Sequence, residues 1–191
     1  MVWVPVEMAV PVHGLALRRW SMADAAPLLA AIELSLPELR EWMPWASVQP
    51  TLDSVCAFLE RSGSEAGSQV EMGFGLFEAD GEVVGGFGLH RRRGPGILEI
   101  GYWVRSDRTG RGYATAAARA LTDSGFDCFA EVERMEIRCH PGNLASAAVP
   151  PKLGYRLDGT EPGGHLIWAM ARADWPTTRQ PPALPFPSRP S

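Results

Sequence analysis

The stretch RTGRGYAT, residues 108–115, is the feature that most constrains the fold of this chain. It follows EIGYWV, a mostly apolar run that predicts a strand, and it opens an Ala-rich run with helical spacing. Gly110 and Gly112 lack a Cβ, so a ligand can approach their backbone closely. The N–H groups and the dipole of a helix start both attract negative charge. The segment therefore predicts an anion site, with diphosphate as the natural ligand and with Arg108 and Arg111 beside it.

Other interpretations of the same glycines fit less well or explain less. The dinucleotide fingerprint needs G-x-G-x-x-G, and its sixth position here is Thr115. That fingerprint also opens the first unit of a parallel βα array, whereas a hairpin pattern precedes this stretch. A Walker loop is excluded because no Gly-Lys-Ser/Thr is present. A tight strand-to-helix turn without a ligand stays an alternative.

The composition indicates an ordinary globular domain. The 191 residues are 46% hydrophobic and 21% charged, with a net charge of -4, so there is no basic excess for a nucleic-acid partner. Cys56, Cys128 and Cys139 are odd in number and widely spaced, which favours buried thiols over a metal site or a disulfide. The N-terminus lacks the pattern of a secretory signal, and no run approaches the roughly 20 apolar residues of a membrane span. We expect a cytoplasmic protein with no metal and no membrane partner.

The order of predicted elements indicates an α+β fold with a mixed sheet in one domain. A first strand, LALRRW, precedes a helix that opens at Ser21 with Asp24 as an approximate capping box, and a second helix starts after Thr51 and stops at Gly63. Two apolar runs around Asp80-Gly81 predict a hairpin. We expect residues 1–14 to form an arm or edge strand, residues 15–172 the domain, and residues 173–191 a Pro-rich tail that leaves the core from about Trp175 onward.

Three stretches of the sequence form a recognisable set: EIGYWVRSDRTGRGYATAAARAL, RCHPGNLASAAVPPKLGYRLDG and LREWMPWA. Together they resemble the GCN5-related N-acetyltransferase (GNAT) superfamily, and within it the RimJ/RimL-like ribosomal-protein N-acetyltransferase branch. The resemblance covers about residues 15–172. The family's motif Q/R-x-x-G-x-G/A falls on Thr109, Gly112 and Ala114, so Thr109 stands where the family usually has Gln or Arg.

The resemblance implies acetyl-CoA as co-substrate and a central, largely antiparallel sheet flanked by helices. The strand before the glycines would splay from its neighbour, and its backbone at Trp103, Val104 and Arg105 would bind the pantetheine arm. Asn143 would contact that arm from the other side. The pyrophosphate would bind at the segment that contains Arg108, Thr109, Gly110, Arg111, Gly112, Tyr113, Ala114 and Thr115.

Three residues are candidates for acid–base chemistry. Glu99 lies in the apolar run ILEIGYWV, where a buried carboxylate needs a reason, and we expect it to act as the base. An ion pair with one of residues 91–93 is the alternative. The resemblance implies Ser146 as the acid near the thioester sulfur, with a capping role as the alternative. Tyr155 is the second choice for the acid, and a core position is its alternative.

The acceptor side rests on fewer residues. Trp42 and Trp45 flank Pro44 and are expected on a loop that lines the acceptor site, with core packing as the alternative. Pro150 and Pro151 fall past the first turn after Asn143, and they predict a helix that ends near Val149.

The function implied is acetyl transfer from acetyl-CoA to a primary amine by direct attack in a ternary complex. The acceptor would be a protein N-terminus or a small amine, including an antibiotic, and a homodimer is one expected assembly. The alternative is a non-catalytic acyl-CoA-binding or regulatory module. A nicotinamide enzyme is a third hypothesis, which the missing glycine disfavours.

Overall fold

The computed structural model of the chain describes residues 7–10, 14–63 and 71–176. Its strands form one eight-stranded sheet in the order β1-β2-β3-β4-β5-β6-β8-β7. All neighbours pair antiparallel except β5 and β6, which are parallel, so the predicted α+β fold with a mixed, largely antiparallel sheet is confirmed. The strands are β1 (Glu7–Val10), β2 (Leu15–Arg19), β3 (Glu71–Phe77), β4 (Val83–His90), β5 (Ile97–Val104), β6 (Arg134–Cys139), β7 (Arg156–Thr160) and β8 (Leu166–Ala171).

Helices cover both faces of the sheet. They are α1 (Ala25–Trp42), α2 (Leu52–Gly63), α3 (Tyr113–Cys128) and the short α4 (Leu144–Ala147) and α5 (Val149–Lys152). The first two pack on each other over one face, and α3 covers the other face. Among the described residues, no helix is both long enough and apolar enough to cross a membrane.

The predicted capping box opens a 3-10 turn, Met22–Asp24, which leads directly into α1. Asp24 accepts a hydrogen bond from the backbone N–H of Ser21 at 2.8 Å, as the predicted capping box requires. The helix then continues through Pro37, which lies on the exposed face. Water can solvate the exposed carbonyl that the proline leaves without a donor, so the helix reaches Trp42 and ends two residues before Pro44.

The prolines after Asn143 divide a helical path instead of ending it. The first segment, α4, ends at Ala147, close to the predicted end near Val149. A second segment, α5, then contains Pro150 and Pro151 in its first turn. A first-turn residue has no acceptor for its N–H inside the helix, so a proline is tolerated there.

The pairing of β5 with β6 ends halfway along β5. Ile100 is aligned with Ile137 in the last pair of that ladder. Beyond it, β5 keeps β4 as its partner through Val104, and β6 keeps β8 through Cys139. The two strands therefore part, and the predicted splay before the glycine segment is confirmed.

The prediction that the chain leaves the core at about Trp175 is wrong for Trp175 itself. Its side chain is buried, and its indole N–H donates to Asp123 Oδ1 at 2.7 Å. Its ring lies 6.5 Å from that of Phe126 and 5.4 Å from the guanidinium of Arg119. Burial of the large indole ring against α3 is favourable enough to hold this residue in the core, although the sequence that follows it is Pro-rich. The rest of the predicted tail, residues 177–191, and most of the arm lie outside the described residues; residues 7–10 form the edge strand β1.

Replacing Trp175 by Ala tests this core position. We expect the free energy of unfolding, measured by urea denaturation, to fall by about 3–5 kcal/mol because a buried aromatic side chain is removed. Trp45→Ala is the matched control, since Trp45 is 49% exposed and its loss should cost much less. Equal losses for the two variants would contradict a core role for Trp175.

Candidate functional site

Two cavities open where β5 and β6 part. The glycine-loop cavity, of about 560 Å³, is lined by the end of β5, residues 108–115 and the segment 143–152. The sheet cavity, of about 900 Å³, lies between the sheet and the helices α1 and α2. The two cavities share six wall residues, so ligands in them could contact each other: Trp42, Met43, Tyr102, Trp103, Asn143 and Ser146.

The glycine segment has the backbone that an anion cradle needs. Gly110 and Gly112 have φ angles of 74° and 80°, in the left-handed region that favours glycine. A Cβ added to either would meet no atom within 4 Å, so open space lies beside the backbone there. Gly112 is the N-cap of α3, and no side chain caps this helix start. Ala114 and Thr115, in the first turn, line the cavity. The backbone N–H groups of a first helical turn have no acceptor within the helix, so they can donate hydrogen bonds to an anion.

The arginines near these glycines are engaged elsewhere. Arg108 lines the cavity, but its guanidinium contacts Glu78 at 3.1 Å, Glu82 at 2.9 Å and Asp107 at 2.6 Å. Arg111 lines neither cavity, so its predicted contact is not supported by its position. Its guanidinium reaches the Asp107 carbonyl at 3.4 Å.

Lys152, which the sequence did not single out, lies in the wall of the glycine-loop cavity. It makes no ion pair within the part of the chain that the structure describes. This lysine therefore supplies an uncompensated positive charge that the arginines do not. Thr109 also lines the cavity, with its hydroxyl donating to the Ser106 carbonyl at 3.0 Å.

At the end of β5 the structure corrects two of the three predicted backbone contacts, those of Trp103 and Arg105. Arg105 lines neither cavity: its N–H donates to the Val84 carbonyl at 2.7 Å, and its own carbonyl accepts from the Arg108 N–H at 2.8 Å. Backbone groups alternate in direction along a strand, so those of Trp103 also face β4. Those of Tyr102 and Val104 face the gap where β6 has left. The sequence could not show which backbone groups face the gap, because this depends on how β5 pairs with β4.

Aromatic side chains form the walls of the sheet cavity. Trp42, the last residue of α1, lines both cavities, and its ring lies 5.4 Å from that of His140. Trp45 is half-exposed and lies 6.4 Å from the ring of Trp103. Both tryptophans therefore lie in a cavity wall instead of plugging the core, and their role on the acceptor side stays a prediction. The sequence predicts a loop for both residues, whereas Trp42 ends a helix.

Glu99 lies in the wall of the sheet cavity, on the face of β5 that carries Trp103. Its side chain is only 15% exposed, and burial raises the pKa of its carboxyl, while Arg138 opposes that rise. Arg138 Nε lies 3.7 Å from Glu99 Oε2. The expected alternative, an ion pair with residues 91–93, is not found in the described residues: Arg91 pairs with Glu131 and Arg92 with Glu71.

Ser146 lies where the two cavities meet. Its backbone N–H donates to Asn143 Oδ1 at 3.0 Å, which caps α4, and its hydroxyl is 3.1 Å from that of Tyr102. Burial raises the pKa of the Tyr102 hydroxyl, which keeps that group protonated. The sequence missed Tyr102. The available signal was a polar aromatic residue in an apolar strand, directly before the predicted site.

The structure removes Tyr155 from the catalytic candidates. It is 3% exposed and lines neither cavity. Its hydroxyl lies 2.7 Å from Thr122 Oγ1, inside the core against α3. Burial raises the pKa of this hydroxyl, and its hydrogen bond to Thr122 is internal, so the group cannot reach a ligand in either cavity.

The described residues contain one group of carboxylates close enough to hold a metal ion, Glu78, Asp80 and Glu82. Two of the three already pair with Arg108. The absence of a metal therefore stays a prediction from the sequence.

Comparison with known proteins agrees with this geometry. The model of the acetyltransferase (GNAT) domain matches residues 15–156. RimJ of Mycobacterium smegmatis, solved in complex with CoA-disulfide, is 28% identical, with a TM-score of 0.75 over 89% of this chain and 88% of that one. A solved RimL, an α-N-acetyltransferase of ribosomal L7/L12 in complex with coenzyme A, is 18% identical with a TM-score of 0.76, covering 86% of this chain and 97% of that one, and shows the fold alone.

Two curated relatives come from Bacillus subtilis. YdaF, which carries the provisional name of a ribosomal N-acetyltransferase, is 34% identical over 96 residues, or 48% of this chain and 50% of YdaF. YkkB, an uncharacterized protein, is 29% identical over 125 residues, which are 64% of this chain and 63% of YkkB. The matched stretches thus span about half to two thirds of these relatives. The chain belongs to the GNAT acetyltransferase family, because the family model matches well over half of its length.

Tyr155→Phe distinguishes a core role from a catalytic one. We expect it to lower the free energy of unfolding by about 1 kcal/mol, the usual value of one hydrogen bond, because Thr122 keeps its second bond to the Ala118 carbonyl. The rate of thiol release from acetyl-CoA with an amine acceptor should stay at the wild-type value. A loss of turnover with unchanged stability would contradict the core assignment.

Proposed function

We propose that this chain is an N-acetyltransferase that moves an acetyl group from acetyl-CoA to a primary amine by direct attack in a ternary complex. The observation that carries the proposal is the meeting of the two cavities at the parted strands. A donor in the glycine-loop cavity and an acceptor in the sheet cavity would share the walls at Trp103, Asn143 and Ser146. Such proximity of two bound reactants replaces a bimolecular encounter.

The residues of the glycine-loop cavity suit the chemical parts of CoA. The unpaired backbone groups of Tyr102 and Val104 can bond the amides of a pantetheine arm, as a sheet neighbour would. The left-handed glycines and the open first turn of α3 suit a diphosphate, with Lys152 as an added cation. Acetyl-CoA supplies the activated acyl group. RimJ, at 28% identity, is solved with a CoA-disulfide, which supports the same ligand class here.

Side chains around the shared wall suit acid–base chemistry on an amine. An α-amine with a pKa of about 8 is only partly neutral at pH 7, so a proton acceptor speeds its attack. The Glu99 carboxylate would accept one proton from the acceptor ammonium, directly or through water, and release the neutral amine. The amine nitrogen would then bond to the thioester carbonyl carbon as the carbon–sulfur bond breaks. Ser146, with Tyr102 behind it, would donate a proton to the departing thiolate and take one back from the nitrogen of the new amide.

A protein N-terminus is the acceptor that we favour. YdaF and RimJ are relatives above 25% identity, and the name of YdaF refers to ribosomal acetylation. The sheet cavity is wide, and half-exposed Trp45 lies at its wall, which leaves space for a polypeptide. A small amine such as an antibiotic is the second candidate acceptor. An acceptor screen with ribosomal-protein N-terminal peptides and small amines separates the two.

Glu99→Gln separates an enzyme from a binding module. We expect thiol release with the best acceptor to fall about 10²–10⁴-fold, the usual contribution of a positioned base, while the Kd for acetyl-CoA stays unchanged. The measurements are a thiol-release assay and calorimetry on both proteins. Wild-type binding of acetyl-CoA without turnover on any amine would instead favour the non-catalytic acyl-CoA-binding module.

Gly112→Asn tests the diphosphate cradle. Asn tolerates a left-handed backbone, so the loop can keep its shape while a side chain enters the open space. We expect the affinity for acetyl-CoA to fall at least about tenfold, or 1.4 kcal/mol. The affinity for S-acetylpantetheine, which has no diphosphate, should stay the same.

The matched control for this experiment is Gly81→Asn. Gly81 is another left-handed glycine, with φ of 88°, in the turn between β3 and β4. It lines neither cavity, so its replacement should leave both affinities unchanged. If Gly112→Asn weakened both ligands equally, the effect would come from a distorted loop and the cradle assignment would fail.

Further expectations from the sequence stay predictions. They are the cytoplasmic location, the homodimer, the lack of a nucleic-acid partner and the division into arm, domain and Pro-rich tail. A nicotinamide enzyme is disfavoured by the family match.

A further inference from the structure

We propose that Arg138 is a positioning residue for Glu99: it holds that carboxylate at the wall of the sheet cavity in its charged, proton-accepting form. The assignment rests on the proposed function, in which Glu99 is the base. Neither the glycine motif nor the resemblance pointed to Arg138. Its sequence signal is RMEIRC, in which charged and apolar residues alternate along a strand.

The position of Arg138 follows from the sheet register. Glu99 is aligned with Glu136 in the parallel ladder, and Arg138 lies two residues further along β6, on the same face of the sheet. Its guanidinium is held at two points. Nη2 donates to Glu136 Oε2 at 2.7 Å, and Nη1 donates to Glu161 Oε2 at 2.5 Å. These two bonds fix the direction in which the third nitrogen, Nε, points.

That third nitrogen faces Glu99 without bonding to it. Arg138 Nε is buried and has no hydrogen-bond partner in the described residues, and it lies 3.7 Å from Glu99 Oε2. This distance is too long for a hydrogen bond, but the charge still acts strongly across it. The Glu99 oxygens therefore stay available to an acceptor amine or a water. A direct salt bridge would occupy them.

The other charges around Glu99 act in both directions. On β4 its partner is His90, whose pKa burial lowers to about 4, so His90 is neutral at pH 7; Arg92 follows that strand and pairs with Glu71 of β3. Glu136 of β6 adds negative charge. Glu161, the residue after β7, adds negative charge as well, and its carboxylate lies 3.2 Å from His165 Nδ1. Burial, Glu136 and Glu161 raise the pKa of Glu99, while Arg138 and then Arg92 lower it.

Opposite signs make the assignment testable. Arg138→Gln removes the nearest positive charge, so the pKa of Glu99 should rise by about one to three units. Glu161→Gln removes a negative charge from the same network, so that pKa should fall. Arg138→Lys keeps the charge and should restore a pKa near the wild-type value. A residue with only a structural role would not produce opposite shifts.

The measurement is a pH titration of protein labelled with ¹³C at the glutamate carboxyls, followed by NMR without any acceptor. Glu99→Gln assigns the signal. In parallel, the pH dependence of kcat/KM is recorded for each variant, and its acid limb should move with the NMR value. An unchanged pKa in Glu161→Gln, or shifts of equal sign in Arg138→Gln and Glu161→Gln, would overturn the proposal. If Arg138→Gln does not fold, Glu161→Gln and Arg138→Lys still decide it.

The two readouts keep this inference apart from the proposed function. If the NMR values shift as expected and the acid limb does not follow, Arg138 positions Glu99 but Glu99 is not the base. If the acid limb shifts while the pKa of Glu99 stays constant, another group carries the pH dependence and the positioning role is wrong.

Discussion

The parting of β5 and β6 is the constraint on which the rest of the site depends. Pairing holds through Ile100 and Ile137, and each strand then keeps only its outer partner. Backbone polar groups need partners, so the open edge at Tyr102 and Val104 is a ready place for a ligand with amides. The same gap admits α4, which brings the Ser146 hydroxyl to Tyr102. Without the gap between β5 and β6, the two cavities would have no common wall.

The two faces of the sheet serve different purposes next to this gap. On one face, Leu98 and Ile100 pack with α3 in the main core. On the other, Glu99 and the charged residues of β6 form a buried ionic network. A buried charge is costly unless it is paired, so each guanidinium here contacts more than one carboxylate. The Glu99 carboxylate is paired less closely than the other carboxylates of this network, since Arg138 Nε lies 3.7 Å from its Oε2.

Local sequence signals predicted the elements and the donor side well. The capping box at Ser21, the hairpin at residues 80–81 and the glycine segment all depend on neighbours within a few residues, and all lie where the sequence indicates. The strand β7 escaped prediction because its residues are exposed and follow no apolar alternation. Trp175 escaped because its partners, Asp123 and Phe126, are about fifty residues away in the chain.

The sequence by itself determined the fold class, the family resemblance and the left-handed glycines before α3, because periodicity and backbone preference are local properties. Only the tertiary structure decided which side chains reach a ligand. In it, Tyr155 lies in the core, the backbone of Arg105 bonds to β4, and the Tyr102 hydroxyl lies beside that of Ser146. These outcomes depend on which strand lies next to which and on where a ladder ends. Such long-range pairing produces no local sequence pattern at the residues that it positions.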